Sequence, residues 1–304
     1  NVVVELNFDY KIVYLNTAAK KSPVIQKLIN AEKHILEKYI RLLNHTLENK
    51  KTGRYRIKEG FYIFDTHYDL NIYIDKELKF IRLYLTDISE NIKLQKNLQD
   101  HKDSIIDSLN YAKRIQQSIL PDLKILDNYF DDHFVFYKPK DVVSGDFYWS
   151  MKIDEKLLFS LCDCTGHGVP GALMSIIGHD ALNSIVRNES TNSVSDIMQS
   201  LNAYFFNVHN RGKIEIGDTM DLTLLCYDKK NNIIKFTGCK HQYIIIRDNK
   251  IQVYKTDSHT LGLWLEDVYF KYEEIKVKKG DVIYLFTDGF PDQFGGKRGK
   301  KFKY

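Results

Sequence analysis

Apolar positions along the chain follow two different periods. From Met220 onward, short apolar runs at 222–227, 233–237, 243–247, 251–254 and 282–286 are separated by polar turns such as Asp228-Lys229-Lys230-Asn231-Asn232 and Arg247-Asp248-Asn249-Lys250. That spacing predicts hairpins and antiparallel sheets. Upstream of them, Leu173, Ile177, Ala181 and Ile185 stand four apart, and Val194, Ile197, Met198, Leu201, Phe205 and Val208 recur at helical spacing. Two amphipathic helices with core-facing stripes are expected there, with Met174 and Met198 as packing residues and His179 and His209 at the surface. A further strand is expected at 134–137. Helices packed outside two antiparallel sheets would give an α+β fold layered as an α-β-β-α sandwich.

The first ninety residues read as strand, helices, strands. A strand at 10–15 runs into an Asn16-Thr17 helix start, and apolar residues take helical spacing over 24–47 (Ile25, Leu28, Ile29, Ile35, Leu36, Tyr39, Leu42, Leu43). Strand-like segments follow at 61–64, 70–74 and 80–85. From Glu90 to Leu120 there is no Gly or Pro, which is too long for a loop and right for a helix. Leu98, Ile105, Ala112 and Ile119 recur every seven residues, widened by Leu94 and Leu109 and interrupted by His101, Lys102 and Gln116. Such a seam predicts a coiled coil pairing two copies of the chain; packing of the helix on its own domain is the alternative. The expected division is 1–90, a small α+β domain; 91–120, a helical linker; and 121–304, a larger domain opened by Pro121.

Composition narrows the picture. A chain of 304 residues with 43% hydrophobic content can bury about two cores. No apolar run approaches the ~18 residues of a membrane span, and no signal-peptide pattern opens the chain. Asn1 is not a methionine, which leaves room for upstream sequence. The formal charge of +4 comes from the end of the chain, where Lys297, Arg298, Lys300, Lys301 and Lys303 crowd into eight residues, so no nucleic-acid surface is implied. Four cysteines without a Cys-x-x-Cys pair fit a reducing cytoplasm.

The candidate chemistry lies in three acid-bearing turns. Leu157-Leu158-Phe159-Ser160-Leu161-Cys162 drives a strand into Asp163, followed by Cys164-Thr165-Gly166-His167-Gly168 and a helix start with Pro170 in its first turn. Val142-Val143-Ser144-Gly145 leads into Asp146, and Val282-Ile283-Tyr284-Leu285-Phe286-Thr287 leads into Asp288-Gly289. A single Asp-Gly such as Asp288-Gly289 is an ordinary turn; three acids at strand ends make a set of hard oxygen donors suited to magnesium or manganese.

The motifs Ser-Gly-Asp-Phe-Tyr-Trp (144–149), Asp-Cys-Thr-Gly-His-Gly-Val-Pro-Gly-Ala (163–172) and Phe-Thr-Asp-Gly (286–289) resemble the signatures of the stage II sporulation E-type serine/threonine phosphatases, a bacterial branch of the metal-dependent protein phosphatase 2C superfamily. The resemblance covers roughly residues 113–304. It implies hydrolysis of phosphoserine or phosphothreonine by water activated on two Mn or Mg ions, with Asp163 bridging them, the Cys164 carbonyl and Asp288 as further ligands, and Asp146 in the same cluster. It places the Gly166-His167-Gly168 loop beside the active site; the alternative is that the glycines only make the turn and His167 braces it through a backbone contact. Asp292 stands where relatives often carry an acid, or else simply opens a helix, and Asp218 and Asp221 lie near the same region.

Two departures from the family pattern stand out. Cys164 replaces a common glycine, and the closing Asp-Asp pair of a final strand is not present, so the chain is expected to be C-terminally short, to hold its second ion weakly and to be impaired. Residues 12–19 and 85–89 are similar to the start and exit motifs of PAS sensor domains, which makes 1–90 a PAS-like sensor. The implied partner is a phosphorylated regulatory protein of the anti-anti-sigma kind. Two rival readings accompany this one. A zinc site could draw on Cys162, Cys164, His167, Cys239 and His241, although their spacing fits no common zinc pattern. A sensor and partner-binding module could carry a degenerate, non-enzymatic phosphatase domain.

Overall fold

The computed structural model describes residues 1–31, 37–41, 44–45, 50–57, 61–188, 193–211, 219–262, 268–295 and 299–301. The chain divides into two compact units, Asn1–Ser104 and Ile105–Tyr304.

In the first unit, β1 (Val2–Asn7), β2 (Ile12–Leu15), α1 (Thr17–Lys21) and α2 (Pro23–Ile29) precede β3 (Gly53–Arg56), β4 (Phe61–Ile63), β5 (Thr66–Asp75) and β6 (Phe80–Asp87). The strands form one antiparallel sheet ordered β2-β1-β6-β5-β3, with β4 also on β5. Asn16 caps α1 by accepting from the Ala19 amide, and Ser22 caps α2 with Pro23 in its first turn. Alternation buries Leu70, Ile72 and Ile74 of β5 and Ile81, Leu83 and Leu85 of β6 on one face, against Ala19 and Ile25. Of the helical spacing expected over 24–47, α2 covers Pro23–Ile29 and ends at its cap Asn30; Ile35, Leu36, Leu42 and Leu43 lie outside the described residues.

The helix α3 runs from Ser89 to Ile119. Its seven-residue seam is exposed at Leu94, Leu98 and Ile105, and its one buried residue is Gln116. Among the described residues no helix is long and apolar enough to cross a membrane.

The second unit continues with β7 (Phe147–Ile153), β8 (Lys156–Cys164), α4 (Gly168–Asn188), α5 (Val194–Arg211), β9 (Met220–Asp228), β10 (Ile233–Cys239), β11 (Gln242–Arg247), β12 (Lys250–Lys255), β13 (Glu273–Lys276) and β14 (Val282–Phe286). One antiparallel sheet is ordered β13-β10-β9-β8-β7 and a second β12-β11-β14. The two faces of the larger sheet bury different partners. Leu158, Cys162, Leu222 and Leu224 pack on Ala181, Leu182, Leu201 and Phe205 of α4 and α5, whereas Leu157, Leu225, Tyr227, Ile234 and Phe236 pack on Tyr243 and Ile245 of the smaller sheet. The layers are therefore helix, sheet, sheet. On the outer face of the smaller sheet Ile251, Val253, Val282 and Tyr284 are exposed, and the second helical layer expected from the sandwich is not among the described elements.

Two local expectations are corrected. Residues 134–137 form no strand, because no neighbouring strand takes up their backbone groups, and Phe134 and Phe136 are exposed. Leu173 points outward, since the buried side of α4 runs through Met174, Gly178, Ala181 and Leu182.

Candidate active site

The alternation along β8 decides where its acid goes. Odd positions such as Leu157 and Phe159 face the second sheet and even positions such as Leu158, Cys162 and Cys164 face the helices, so Asp163 lies on the inter-sheet side at the strand's C-terminal end. Across the ladder its register partner is Asp221 of β9. Asp288 follows β14 of the smaller sheet, and Asp146 immediately precedes β7. Strands from both sheets thus deliver acids to one end of the inter-sheet space.

These groups are electrostatically coupled. Burial, the neighbouring Asp146 charge, a hydrogen bond with Asp146, and the charges of Asp288 and Asp221 push the Asp163 carboxyl up to about 8. Burial, Asp292 and Asp146 raise Asp288, opposed by a hydrogen bond with Asp163. Burial raises Asp221, opposed by the Lys240 ammonium 3.9 Å from its Oδ2. Carboxyl groups this close share protons rather than all ionising.

Hard, mutually repelling oxygen donors are the right chemistry for Mg or Mn, because a divalent cation replaces the shared proton. Among the described residues no three His, Cys, Asp or Glu side chains surround one point closely enough to hold a metal ion, so the fit rests on the donor set. One expected outcome follows. Below about pH 8 the Asp163 carboxyl holds a proton in the metal-free chain, so Mn2+ binding at pH 7 should release about one proton and tighten as pH rises toward 8. Calorimetry in buffers of different ionisation enthalpy measures that release; none would contradict it.

Asp146 is held on several sides. The Thr287 hydroxyl donates to its Oδ2 at 2.7 Å, the Tyr137 hydroxyl donates to its carbonyl at 3.1 Å, and its own amide donates to Ser144 Oγ at 3.1 Å. A Cβ on Gly145 would stand 2.8 Å from both the Cys164 and the Gly166 carbonyl oxygens, so only glycine lets the Asp146 turn lie on the loop after Asp163. In that loop Gly166 and Gly168 take φ of 93° and 66°, and the Thr165 amide donates to the Thr219 carbonyl at 2.9 Å. His167 is exposed, and its Nδ1 lies 2.8 Å from Asp141 Oδ2, so its brace is a carboxylate rather than the backbone. Asp292 sits in a turn and pairs with Lys301 at 2.6 Å; Asp218 lies outside the described residues.

The soft ligands of the rival zinc reading do not join this cluster. Cys162 and Cys164, on the face of β8 opposite Asp163, and Cys239 at the end of β10 are free thiols in the helix-side core. Burial pushes Cys162 up to about 12, the wrong direction for a thiolate ligand. His241 is buried too, and burial lowers its imidazole to about 4.

Comparison with known proteins places the arrangement. Residues 153–303 match the family model of stage II sporulation protein E (SpoIIE). The solved SiaA-PP2C domain of Pseudomonas aeruginosa is 30% identical and superposes with a TM-score of 0.60, covering 67% of this chain and 80% of that one. The chain carries a SpoIIE-family phosphatase domain. The phosphoserine phosphatase RsbU of Bacillus subtilis is 25% identical over 198 residues, 63% of this chain, and the chain spans 56% of the length of that curated relative. Within this SpoIIE-family domain the model match contains Asp163, Asp221 and Asp288 and begins after Asp146.

The sequence left Asp221 without a role, and alternation along β9 is the signal that puts it on the Asp163 face. Local pattern does not mark Thr287 or Tyr137, because their contacts with Asp146 join turns that only the packed sheets bring together.

Proposed function

We propose that this chain hydrolyses phosphoserine or phosphothreonine on a partner protein. The observation that supports the reading best is the convergence of Asp146, Asp163 and Asp288 at one end of the inter-sheet space, with the Asp163 carboxyl pushed up to about 8. Asp146, Asp163, Asp288 and the Cys164 carbonyl would hold two Mn or Mg ions, and such ions lower the pKa of a bound water and neutralise phosphate charge. The chain's own groups orient and gate. Thr287 and Tyr137 fix Asp146, Asp163 gives up its proton on loading, and the exposed Gly166-His167-Gly168 loop borders the route a phosphorylated side chain would take.

In the same proposal, residues 1–90 are a PAS-like sensor, 91–120 a linker pairing two copies of the chain, and 121–304 the phosphatase, working in the cytoplasm. The antiparallel sheet of the first unit, with helices inserted between β2 and β3, supports a sensor domain, and the exposed Leu94, Leu98 and Ile105 seam supports a paired linker. The partner would be a phosphorylated regulator of the anti-anti-sigma kind, a reading supported by the likeness to RsbU. The test is phosphate release from a phosphoserine protein by the whole chain, with Mn2+ and then with chelator, beside sedimentation of the same sample. Mn2+-dependent release from a dimer is expected. Release that persists in chelator would overturn the metal-dependent reading, no release with Mn2+ would overturn the hydrolytic one, and a monomer at micromolar concentration would remove the pairing.

A further inference from the structure

Gln116 is 3% exposed, on a helix whose other residues are not buried. A side-chain amide is buried only when its hydrogen bonds are met, and here the whole group is engaged. Its Nε2 donates to the Ser144 carbonyl at 2.6 Å and to Ser175 Oγ at 2.8 Å, while its Oε1 accepts from the Ser144 amide at 3.1 Å. The side chain therefore pairs with Ser144 as one peptide group pairs with another. The Ser175 hydroxyl passes the connection on, donating to the Ala172 carbonyl at 2.8 Å near the start of α4.

What Gln116 grips is the turn that carries Asp146. Ser144 stands two residues earlier, and its hydroxyl accepts the Asp146 amide at 3.1 Å. On the far side of that turn, Gly145 lies against the Cys164 and Gly166 carbonyls, so the turn cannot shift without disturbing the Asp163 loop. One amide thus ties α3, the Asp146 turn and the first part of α4 together.

We propose that Gln116 is a positioning residue for metal binding: it sets the Asp146 turn at the place where Asp146 and Asp163 share a cation. The proposal rests on the metal-dependent reading above. Removing the amide leaves the Ser144 amide and carbonyl without their partner and Ser175 with only its bond to the Ala172 carbonyl, and a turn in that state moves to regain hydrogen bonds. A side chain that only fastened α3 to the unit would lower the melting temperature and leave cation affinity alone.

The test uses the whole chain and Gln116→Met, which keeps the length and loses the hydrogen bonds. By calorimetry the Mn2+ dissociation constant should rise about tenfold or more, a change of ~1.4 kcal/mol. In the metal-free chain, the Ser144 and Asp146 amides should exchange hydrogen faster in the variant. Gln117→Met, at the exposed neighbouring position, should change neither reading. If Gln116→Met does not fold by circular dichroism, Gln116→Asn, with the same amide one methylene short, replaces it under the same expectations. Equal Mn2+ affinity and equal exchange overturn the positioning role while leaving the hydrolytic reading intact, whereas a wild-type chain that binds no Mn2+ overturns that reading itself.

Discussion

Asp163→Asn should cut Mn2+-dependent phosphate release by about a thousandfold or more, equivalent to ~4 kcal/mol of transition-state stabilisation. The substitution keeps shape and removes the one carboxyl that both Asp146 and Asp288 reach by hydrogen bond. Its effect on the metal-free fold should run the other way. The wild-type carboxyl is pushed up to about 8 in the folded state from an ordinary aspartate's 3.8, so the folded state holds the extra proton between roughly pH 4 and 8. Wild-type stability is then greatest at the acid end of that window and declines as pH rises through it. Asparagine has no such proton to lose. Melting curves without metal should therefore nearly coincide only at about pH 4 or below and draw apart progressively toward pH 8, with Asp163→Asn the more stable. Activity within tenfold of wild type, or a variant less stable at pH 8, would remove Asp163 from the centre of the site.

Gly145→Ala is expected to be the next most damaging change. Its new methyl would stand 2.8 Å from two carbonyl oxygens, Cys164 and Gly166, and neither is the end of a flexible side chain that could turn away. The Asp146 turn or the Asp163 loop must move. Overpacking of this kind costs about 1–3 kcal/mol. A displacement near 1 Å at a catalytic group costs about a hundredfold in rate. Gly289→Ala provides the contrast, because beside Asp288 the nearest atom to a new Cβ is Thr287 Oγ1 at 3.5 Å, ordinary contact. Phosphate release and thermal melts on the two variants separate the cases, and equal activity for both would show that the Gly145 contact is not needed.

The parts of the fold visible in the sequence are those where local pattern and tertiary demand agree. β9 with β10 and β11 with β12 are apolar runs joined by turn residues, and each pair forms the hairpin its spacing predicts. β13 escaped notice because Glu273-Glu274-Ile275-Lys276 has a single apolar residue; it is a strand because β10 offers its free edge. The opposite error arose at Phe134 to Tyr137, where strand-forming side chains found no ladder. The acids were legible because a carboxylate at the end of a buried strand has few ordinary explanations. Gln116 was not, since it looked like a flaw in a seven-residue seam, and its partners lie 28 and 59 residues away. A polar residue that breaks an apolar repeat can be the point at which a helix engages something other than a second helix.

The four cysteines, all free and all enclosed, give the second unit a property of practical use. An alkylating reagent cannot reach Cys162, Cys164, Cys226 or Cys239 while helices and sheets stay closed, so its rate of reaction counts openings of the native state. The protein carries its own clock for breathing, without an added label.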